Sequence, residues 1–395
     1  MKPSEWGLGH LGNKAVRGIA TGLLVCAGIA GGEMDADAHN DSSNNNKPRY
    51  TLAKPMTLVD EGSFFVGGKQ IQTAFPSTNP TGLNGPGTYT VNQMYVHYRI
   101  PANSENKLPV IMVHGSNHTG MTYETTPDGR EGWATYFVRQ GYPVYVVDHA
   151  GRGRSGFDPT PVNQAIAQQD LSKLPAAGFQ RYAWEGAWVN FLFGPSYGNA
   201  FPGQRFPLSS LAQYTAQLVP NTEVTLVNGT ANTINDLALL LDKIGPAIVV
   251  VHSQSGVMGL GAVVQRPKLV KGLISVEGGC DIPAGADVPN TFAKVPYLSF
   301  WGDYSVGAPG ANGDARRTTC QATVATFKNA GGKAQFLLLP DFGIHGNSHM
   351  LMMDNNNLKL ADILLDWVHK NVEKRNGGGH DDDYDCDRDR KKNCR

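Results

Sequence analysis

Short apolar runs alternate with amphipathic segments along most of the chain. The alternating stretches 63–66 and 90–100 predict antiparallel strands, and the later continuous apolar runs predict strands buried on both faces of a sheet. These buried strands are predicted at 109–113, 143–147, 247–251, 269–276, 295–300 and 333–339. Helices are predicted between and after them at 131–140, 233–244, 315–329 and 357–372. The strand-helix-strand order with short connections predicts an α/β fold, a mostly parallel central sheet flanked by helices, in one domain over 57–374.

One long interruption of this alternation lies at residues 157–232, which are rich in Pro, Gly and aromatic residues. An insertion at this point of an α/β fold lies above the carboxyl ends of the strands, where ligands bind. We therefore predict a lid that shapes an apolar substrate pocket, with Trp184, Trp188, Phe191 and Phe193 as candidate pocket residues. The alternative is that these aromatic side chains form the small core of the insertion itself.

The amino-terminal residues 1–38 have the layout of a secretory signal. Basic residues precede the apolar run 18–30, and Ala36-Asp37-Ala38 supplies an A-x-A cleavage site. The mature protein is therefore expected to begin near His39 and to be secreted or periplasmic, with no membrane attachment after cleavage. A retained amino-terminal anchor is the alternative, although the apolar run is short for a membrane span.

Composition and charge narrow the function classes. The chain has 395 residues with 34 Lys plus Arg and 34 Asp plus Glu, so its formal net charge is zero. There is no basic excess of the kind that binds nucleic acid, and no nucleic-acid partner is predicted. Residues 39–56 form a polar leader and residues 375–395 a charged tail, and both are expected to be flexible. For the tail, a divalent-ion site on Asp381, Asp382 and Asp383 is the alternative.

Four cysteines follow the predicted signal, an even number that predicts two disulfides in an exported chain. The simplest pairing joins Cys280 to Cys320 and Cys386 to Cys394, and the other two pairings stay open. No Cys-x-x-Cys pair or metal-like Cys/His spacing occurs in the sequence, so no metal site and no cofactor are predicted.

The stretch 247–261, AIVVVHSQSGVMGLG, joins a buried apolar run to a segment of small residues through a polar corner. This order predicts a strand, a sharp turn and a helix, with Ser253 at the turn. A serine there holds its Oγ above the sheet, and the backbone N–H of Gln254 points to where an oxyanion forms. The flanking residues are Val251 and Ser255 instead of the two glycines usual for such a turn. Ser255 is the alternative nucleophile, and a helix-capping serine is the alternative to a catalytic one.

A second turn and two histidines complete the candidate chemistry. His114-Gly115-Ser116 follows a predicted strand, and the N–H of Ser116 is the second candidate oxyanion donor. A catalytic serine also needs a histidine base, which this fold places after the last strand. Both His345 and His349 lie there, and His349 is preferred because the terminal helix follows it closely.

Two carboxylates are candidates for the acid that orients this histidine. Glu277 ends a predicted apolar strand, where an unpaired charge is costly, and pairing with His349 gives it a partner. Asp303, in the turn Gly302-Asp303-Tyr304-Ser305, is the alternative, and a turn cap is its ordinary role. We therefore predict Ser253, Glu277 and His349 as nucleophile, acid and base.

Five motifs together are similar to a family of mostly secreted bacterial α/β-hydrolase esterases. The motifs are HGSNHTGMTYETTPDGREGW (114–133), DHAGRGRS (148–155), VVHSQSG (250–256), SVEGG (275–279) and GNSHMLMMDNNN (346–357). The acid of that family is a Glu after the sixth strand, so the resemblance implies Ser253 as nucleophile, Glu277 as acid and His349 as base. Some members carry two adjacent disulfide-bonded cysteines at the oxyanion loop, where this chain has Ser116-Asn117.

These residues predict a secreted serine carboxylesterase that hydrolyses small to medium apolar esters through an acyl-enzyme and needs no cofactor. An amidase or other acyl hydrolase with the same residues is the alternative, since fold and catalytic residues do not settle which bond is cleaved. A catalytically silent hydrolase fold used for binding is the alternative from another class. The expected partner is a small-molecule ester, and the sequence leaves a homodimer open.

Overall fold

A single sheet of eight strands runs through the part of the chain described by the computed structural model, residues 55–73, 86–174, 179–222, 229–308 and 312–373. In chain order the strands are β1 (Leu58–Thr73), β2 (Gly87–Pro101), β3 (Val110–Val113), β4 (Val144–Asp148), β5 (Ala247–His252), β6 (Val270–Val276), β7 (Tyr297–Trp301) and β8 (Ala334–Leu338). They lie side by side in the order β1-β2-β4-β3-β5-β6-β7-β8. The pairs β1·β2 and β2·β4 are antiparallel, and the five pairs from β4 to β8 are parallel.

Helices cover both faces of this sheet. In chain order, the α-helices of the described residues are α1 (Met121–Glu124), α2 (Trp133–Arg139), α3 (Thr160–Gln168), α4 (Trp184–Asn190), α5 (Leu211–Ala216), α6 (Gly229–Ile244), α7 (Gly256–Gln265), α8 (Asp314–Asn329) and α9 (Asn357–Asn371). The helices α3, α4 and α5 belong to the insertion, which separates β4 from β5 along the chain.

Alternate side chains of the central strands enter two separate hydrophobic cores, one on each face of the sheet. Val110 and Met112 of β3 share a core with side chains of α2 and α9, whereas Ile111 and Val113 share the other with side chains of α6, α7 and α8. All four residues are fully buried, because helices on both sides remove both faces of the strand from water. This two-sided burial explains why the sequence of these strands is continuously apolar.

The predicted fold class is confirmed, with a mostly parallel sheet flanked by helices. The main difference is β1, which was predicted at 63–66 but extends from Leu58 to Thr73. It is an edge strand with most of its residues exposed, so an apolar pattern marks only its centre. Gly67 and Gly68, both at positive φ, interrupt that pattern further.

Several predictions concern the two ends of the chain, which the structure does not describe. The predicted signal, most of the polar leader, and the charged tail with Cys386 and Cys394 lie outside the described residues. In the described part of the chain, no helix combines the length and the apolar character needed to cross a bilayer.

The chain changes sides in the sheet at β3. Strand β4 lies on one side of β3, and after the insertion the chain returns to form β5 on the other side. The loops that leave the carboxyl ends of β3 and β5 therefore diverge and border a crevice, the usual ligand site of open α/β sheets. His114-Gly115-Ser116 follows β3 and Ser253 follows β5, so the topology places both predicted turns at this crevice.

Candidate active site

Ser253 lies in the sharp turn between β5 and α7. Its backbone φ of 54° is in the left-handed region, which is unfavourable for a residue with a side chain and persists where the surrounding structure enforces it. Gly256 allows the turn to be tight, because a Cβ there would lie 2.2 Å from the carbonyl oxygen of Gly279. The Gly279 N–H donates to the Ser253 carbonyl at 2.9 Å. The start of α7 is thereby held against the backbone that follows β6.

The alternative serine, Ser255, is bound to the backbone beneath this turn. Its Oγ lies 2.9 Å from the carbonyl oxygens of Val113 and His252, and it accepts the N–H of His252 at 2.9 Å. The side chain is fully buried. These contacts tie the turn to β3 and give Ser255 a structural role in fixing it.

Glu277 and His349 meet in the protein interior. Nδ1 of His349 lies 2.5 Å from Oε2 of Glu277, and both side chains are fully buried. The Gly302 N–H donates to the other carboxylate oxygen at 2.8 Å, and Glu277 has a φ of 44°, a second left-handed residue at the crevice. Because a carboxylate only accepts hydrogen bonds, Nδ1 carries the hydrogen and Nε2 is the basic nitrogen.

Burial is the main influence on the titration of this pair. It lowers the pKa of His349 well below the ordinary value, and the nearby His252 and Arg316 lower it further. Burial raises the pKa of Glu277, and the Gly302 N–H opposes that rise. His349 is consequently a neutral imidazole at neutral pH, which is the protonation state that a general base requires.

The alternative acid, Asp303, lies near the alternative base, His345, and neither takes part in the contact between Glu277 and His349. Nδ1 of His345 lies 3.8 Å from Asp303, and the His345 side chain is 64% exposed. Asp303 accepts the N–H groups of Gly346 and Asn347 at 2.7 and 2.8 Å. Its carboxylate therefore fixes the loop that carries His349, a role that the sequence did not indicate.

The turn after β3 lies directly against the turn of Ser253. A Cβ on Gly115 would lie 2.7 Å from Nδ1 of His252 and 2.8 Å from the Cβ of Ser253, so these side chains approach as closely as a glycine permits. The next residue, Ser116, is bound by Asn221 of the insertion. The side-chain nitrogen of Asn221 donates to Oγ of Ser116 at 2.8 Å. The two candidate oxyanion donors, Ser116 and Gln254, thus directly follow two residues that are in contact.

Arg152 links these two turns, and sequence reasoning assigned it no role. The guanidinium donates to the Gly115 carbonyl at 2.7 Å and to the side-chain oxygen of Gln254 at 3.0 Å. Arg152 is 1% exposed, and burial lowers its pKa to about 9 despite the opposing effect of Asp148. Its motif, DHAGRGRS, was a signal of the resemblance, but only the packing shows that this side chain reaches both turns.

A second arginine, which the sequence did not identify, lies close to the proposed nucleophile. Nη1 of Arg316 lies 3.4 Å from Oγ of Ser253. Nε2 of His349 is buried and has no hydrogen-bond partner within the described residues. The structure therefore pairs His349 with Glu277 but does not bring Ser253 into a hydrogen bond with His349. No pattern marked Arg316, because it lies on an amphipathic helix among other polar residues.

The four aromatic residues predicted to line the pocket occupy different positions. Trp188 and Phe193 are buried edge-to-face against each other. Both belong to the same hydrophobic core as Val110 and Met112 of β3, and Trp184 is half-buried against it. Phe191 borders the site: its ring stacks on His349 with centroids 6.0 Å apart, and its carbonyl accepts the His349 N–H at 3.0 Å. The insertion therefore shares one of the two sheet cores.

The predicted disulfide between Cys280 and Cys320 is present, with the Cα atoms 5.0 Å apart. Cys320 lies in α8, the helix of Arg316, so the disulfide fixes this helix to the backbone that follows Glu277. Within the described ranges, no group of three or more His, Cys, Asp or Glu side chains is arranged to hold a metal ion.

Comparison with known proteins gives the family. No protein-family model matches the chain. A relative named "Probable secreted lipase phiG", from Fungal sp. (strain ATCC 74256), is 30% identical over 381 residues, which cover 83% of this chain and 94% of that protein. The atomic-resolution structure of a bacterial esterase is 38% identical with a TM-score of 0.73, and the match covers 82% of this chain and 99% of that one. The chain belongs to the α/β-hydrolase esterase family and is a hydrolase of the esterase or lipase type.

Proposed function

We propose that this chain is an exported serine carboxylic-ester hydrolase in which Ser253 is the nucleophile, His349 the general base and Glu277 the acid. The observation that carries the proposal is the 2.5 Å contact between His349 and Glu277, beside a serine at positive φ. A buried histidine oriented by a carboxylate near such a serine is the arrangement that covalent ester hydrolysis requires.

In the proposed reaction, Oγ of Ser253 attacks the ester carbonyl while Nε2 of His349 takes its proton. The oxyanion accepts hydrogen bonds from the backbone N–H groups of Ser116 and Gln254. The alcohol leaves with the proton from His349, and an acyl group stays on Ser253 until water, activated by the same histidine, releases the acid. Hydrogen bonds between base and nucleophile often tighten only when substrate binds, which accommodates the unpaired Nε2 of His349.

Export is supported by three observations. Residues 1–38 have the layout of a secretory signal, and the relative reported above is named "Probable secreted lipase phiG". The disulfide between Cys280 and Cys320 is of the kind that forms in oxidising compartments. We therefore place the mature enzyme in the periplasm or outside the cell, acting on small-molecule esters.

Hydrolysis of p-nitrophenyl butanoate and of the matched butanoyl p-nitroanilide, by the chain from His39 onward, tests the reaction. We expect ester turnover well above amide turnover, together with labelling by a fluorophosphonate. Ser253→Ala should abolish labelling and lower kcat by about three orders of magnitude or more, whereas Ser255→Ala should retain labelling. Labelling that survives in Ser253→Ala would refute the nucleophile, and equal turnover of ester and amide would favour an amidase.

A further inference from the structure

Arg316 brings a positive charge to the proposed nucleophile. The residue lies in the first turn of α8 and its side chain is half-buried. Its Nη1 lies 3.4 Å from Oγ of Ser253, donates to Oδ1 of Asn312 at 2.7 Å, and lies 3.5 Å from the carbonyl oxygen of Glu277. All these contacts are with neutral oxygen atoms, so none of them is an ion pair.

No carboxylate of the described residues forms an ion pair with this guanidinium. The carboxylate of Glu277 is bound to His349 and to the Gly302 N–H, while the neighbouring Arg317 is paired with Asp314. Burial lowers the pKa of Arg316, and the nearby charges of Glu277 and Asp281 oppose this lowering only in part. A cation that is partly removed from water without an ion-pair partner loses solvation free energy. An arginine kept in this state beside a nucleophile points to an anion that arrives with the substrate.

The oxyanion of the reaction does not fill this need. Strands β3 and β6 flank β5 on opposite sides. Ser116 follows β3, whereas Glu277, whose carbonyl oxygen Arg316 approaches, follows β6. Ser116 therefore approaches Ser253 from the β3 side, and Arg316 approaches it from the β6 side.

We infer that Arg316 binds a carboxylate carried by the ester substrate, so that the enzyme selects esters with an acid group near the scissile carbonyl. This inference rests on the proposed function, and it replaces the apolar ester expected from the aromatic insertion with a mono-anionic one. Arginine binds a carboxylate through two parallel hydrogen bonds of about 2.8 Å. Since Nη1 is 3.4 Å from Oγ of Ser253, about one to three carbon atoms separate the two carbonyl carbons.

The carboxylate can belong to the acyl chain or to the alcohol, and two substrate pairs distinguish these sources. Monoethyl succinate and ethyl 4-methylpentanoate differ by a carboxylate in place of an isopropyl group on the acyl side. Butanoyloxyacetate and isobutyl butanoate differ in the same way on the alcohol side. Release of acid is followed by titration at constant pH. We expect kcat/KM of the wild type to favour the charged member of one pair by at least tenfold.

The matched variants are Arg316→Gln, Arg316→Lys and, as the control, Arg317→Gln on the same helix. A charge-assisted hydrogen-bond pair is worth a discrimination of about ten- to a hundredfold, so Arg316→Gln should lose this ratio of kcat/KM values. Arg316→Lys should keep part of it, and Arg317→Gln all of it. If Arg316 has a purely structural role, Arg316→Gln lowers kcat/KM for both members of a pair equally and leaves their ratio unchanged. That result would overturn the inference, as would a wild-type preference for the neutral esters.

Binding supplies a readout that does not depend on turnover. The Ser253→Ala protein should bind the preferred charged ester in a calorimetric titration, and the Ser253→Ala/Arg316→Gln protein should bind it at least tenfold more weakly. Equal affinity of the two proteins would overturn the inference even if ester hydrolysis is confirmed. Absence of fluorophosphonate labelling together with retained, Arg316-dependent binding would refute the proposed function and leave the carboxylate site in place.

Discussion

A Cβ atom on Gly115 would lie 2.8 Å from the Cβ of Ser253. Real Cβ atoms essentially never approach that closely, so the loop after β3 packs against the side chains of the turn after β5 with no room for a Cβ at residue 115. The proposed oxyanion donors directly follow these two residues in the sequence. The position of one donor relative to the proposed nucleophile consequently depends on the absence of a side chain at residue 115.

Gly115→Ala should lower kcat for p-nitrophenyl butanoate by about ten- to a hundredfold. The added methyl group forces the two turns apart by a few tenths of an ångström or more, and misplacement of this size weakens catalysis. Gly87→Ala is the control, because a Cβ there meets nothing within 4 Å. If Gly115→Ala retains the wild-type kcat, the loop after β3 does not supply an oxyanion donor.

Glu277→Gln should lower kcat by about three orders of magnitude while the protein stays folded. An amide can present its nitrogen to Nδ1 of His349, which favours the wrong tautomer and cannot stabilise the imidazolium. The comparison variant is Asp303→Asn, which replaces one of the two oxygens that accept the backbone N–H groups of Gly346 and Asn347. That variant should lower Tm with little change in kcat. If kcat falls more in Asp303→Asn than in Glu277→Gln, Asp303 is the acid.

The elements of this fold were predictable where a single local signal decided them. Helices on both faces make β3 and β5 continuously apolar, and that pattern was visible in the sequence. The pairing of Glu277 with His349 was predictable because a charge at the end of such a strand needs a partner. The count of cysteines after the predicted signal indicated two disulfides, and Cys280 with Cys320 was the simplest of the three pairings that the count allows.

The two arginines of the site were not predictable in the same way. Arg152 and Arg316 have long side chains whose ends lie far from their own backbone, and their partners come from other elements of the fold. Periodicity reports which face of a helix is buried but not which polar atom a side chain reaches. The aromatic residues of the insertion show the same limit, since Phe191 and Phe193 lie in one core but only the ring of Phe191 stacks on His349.

Arg152→Lys should lower kcat for p-nitrophenyl butanoate by about tenfold with a smaller change in KM. Lysine keeps the charge but cannot donate to the Gly115 carbonyl and the Gln254 side chain in the planar geometry of the guanidinium. Both turns that carry the proposed oxyanion donors would lose a fixed contact. Arg266→Lys, at an exposed ion pair with Asp242, is the control. An unchanged kcat in Arg152→Lys would show that the link does not position the oxyanion donors.

The contribution of Asp236 to the stability of the protein should fall as pH rises from about 4 to about 7. Asp236 is 3% exposed, and its Oδ2 has no hydrogen-bond partner within the described residues. Burial raises its pKa from 3.8 to about 7. The folded state therefore binds this proton more tightly than the unfolded state, so the stabilisation is complete below about pH 4 and is lost as pH rises through the folded-state pKa. Asp354, with a pKa also raised to about 7 by burial, acts in the same direction.

Asp236→Asn removes one of these two titrations, since an amide stays neutral at every pH. Between pH 5 and pH 8 the Tm of the variant should rise relative to that of the wild type, and at pH 8 the variant should gain about 2 to 4 kcal/mol relative to wild type. Thermal unfolding followed by circular dichroism at several pH values measures both curves. Asp366→Asn, which changes an exposed residue on α9, should leave the wild-type slope intact. If Asp236→Asn has that same slope, Asp236 is ionised in the folded protein over the whole range, and its burial does not couple folding to pH.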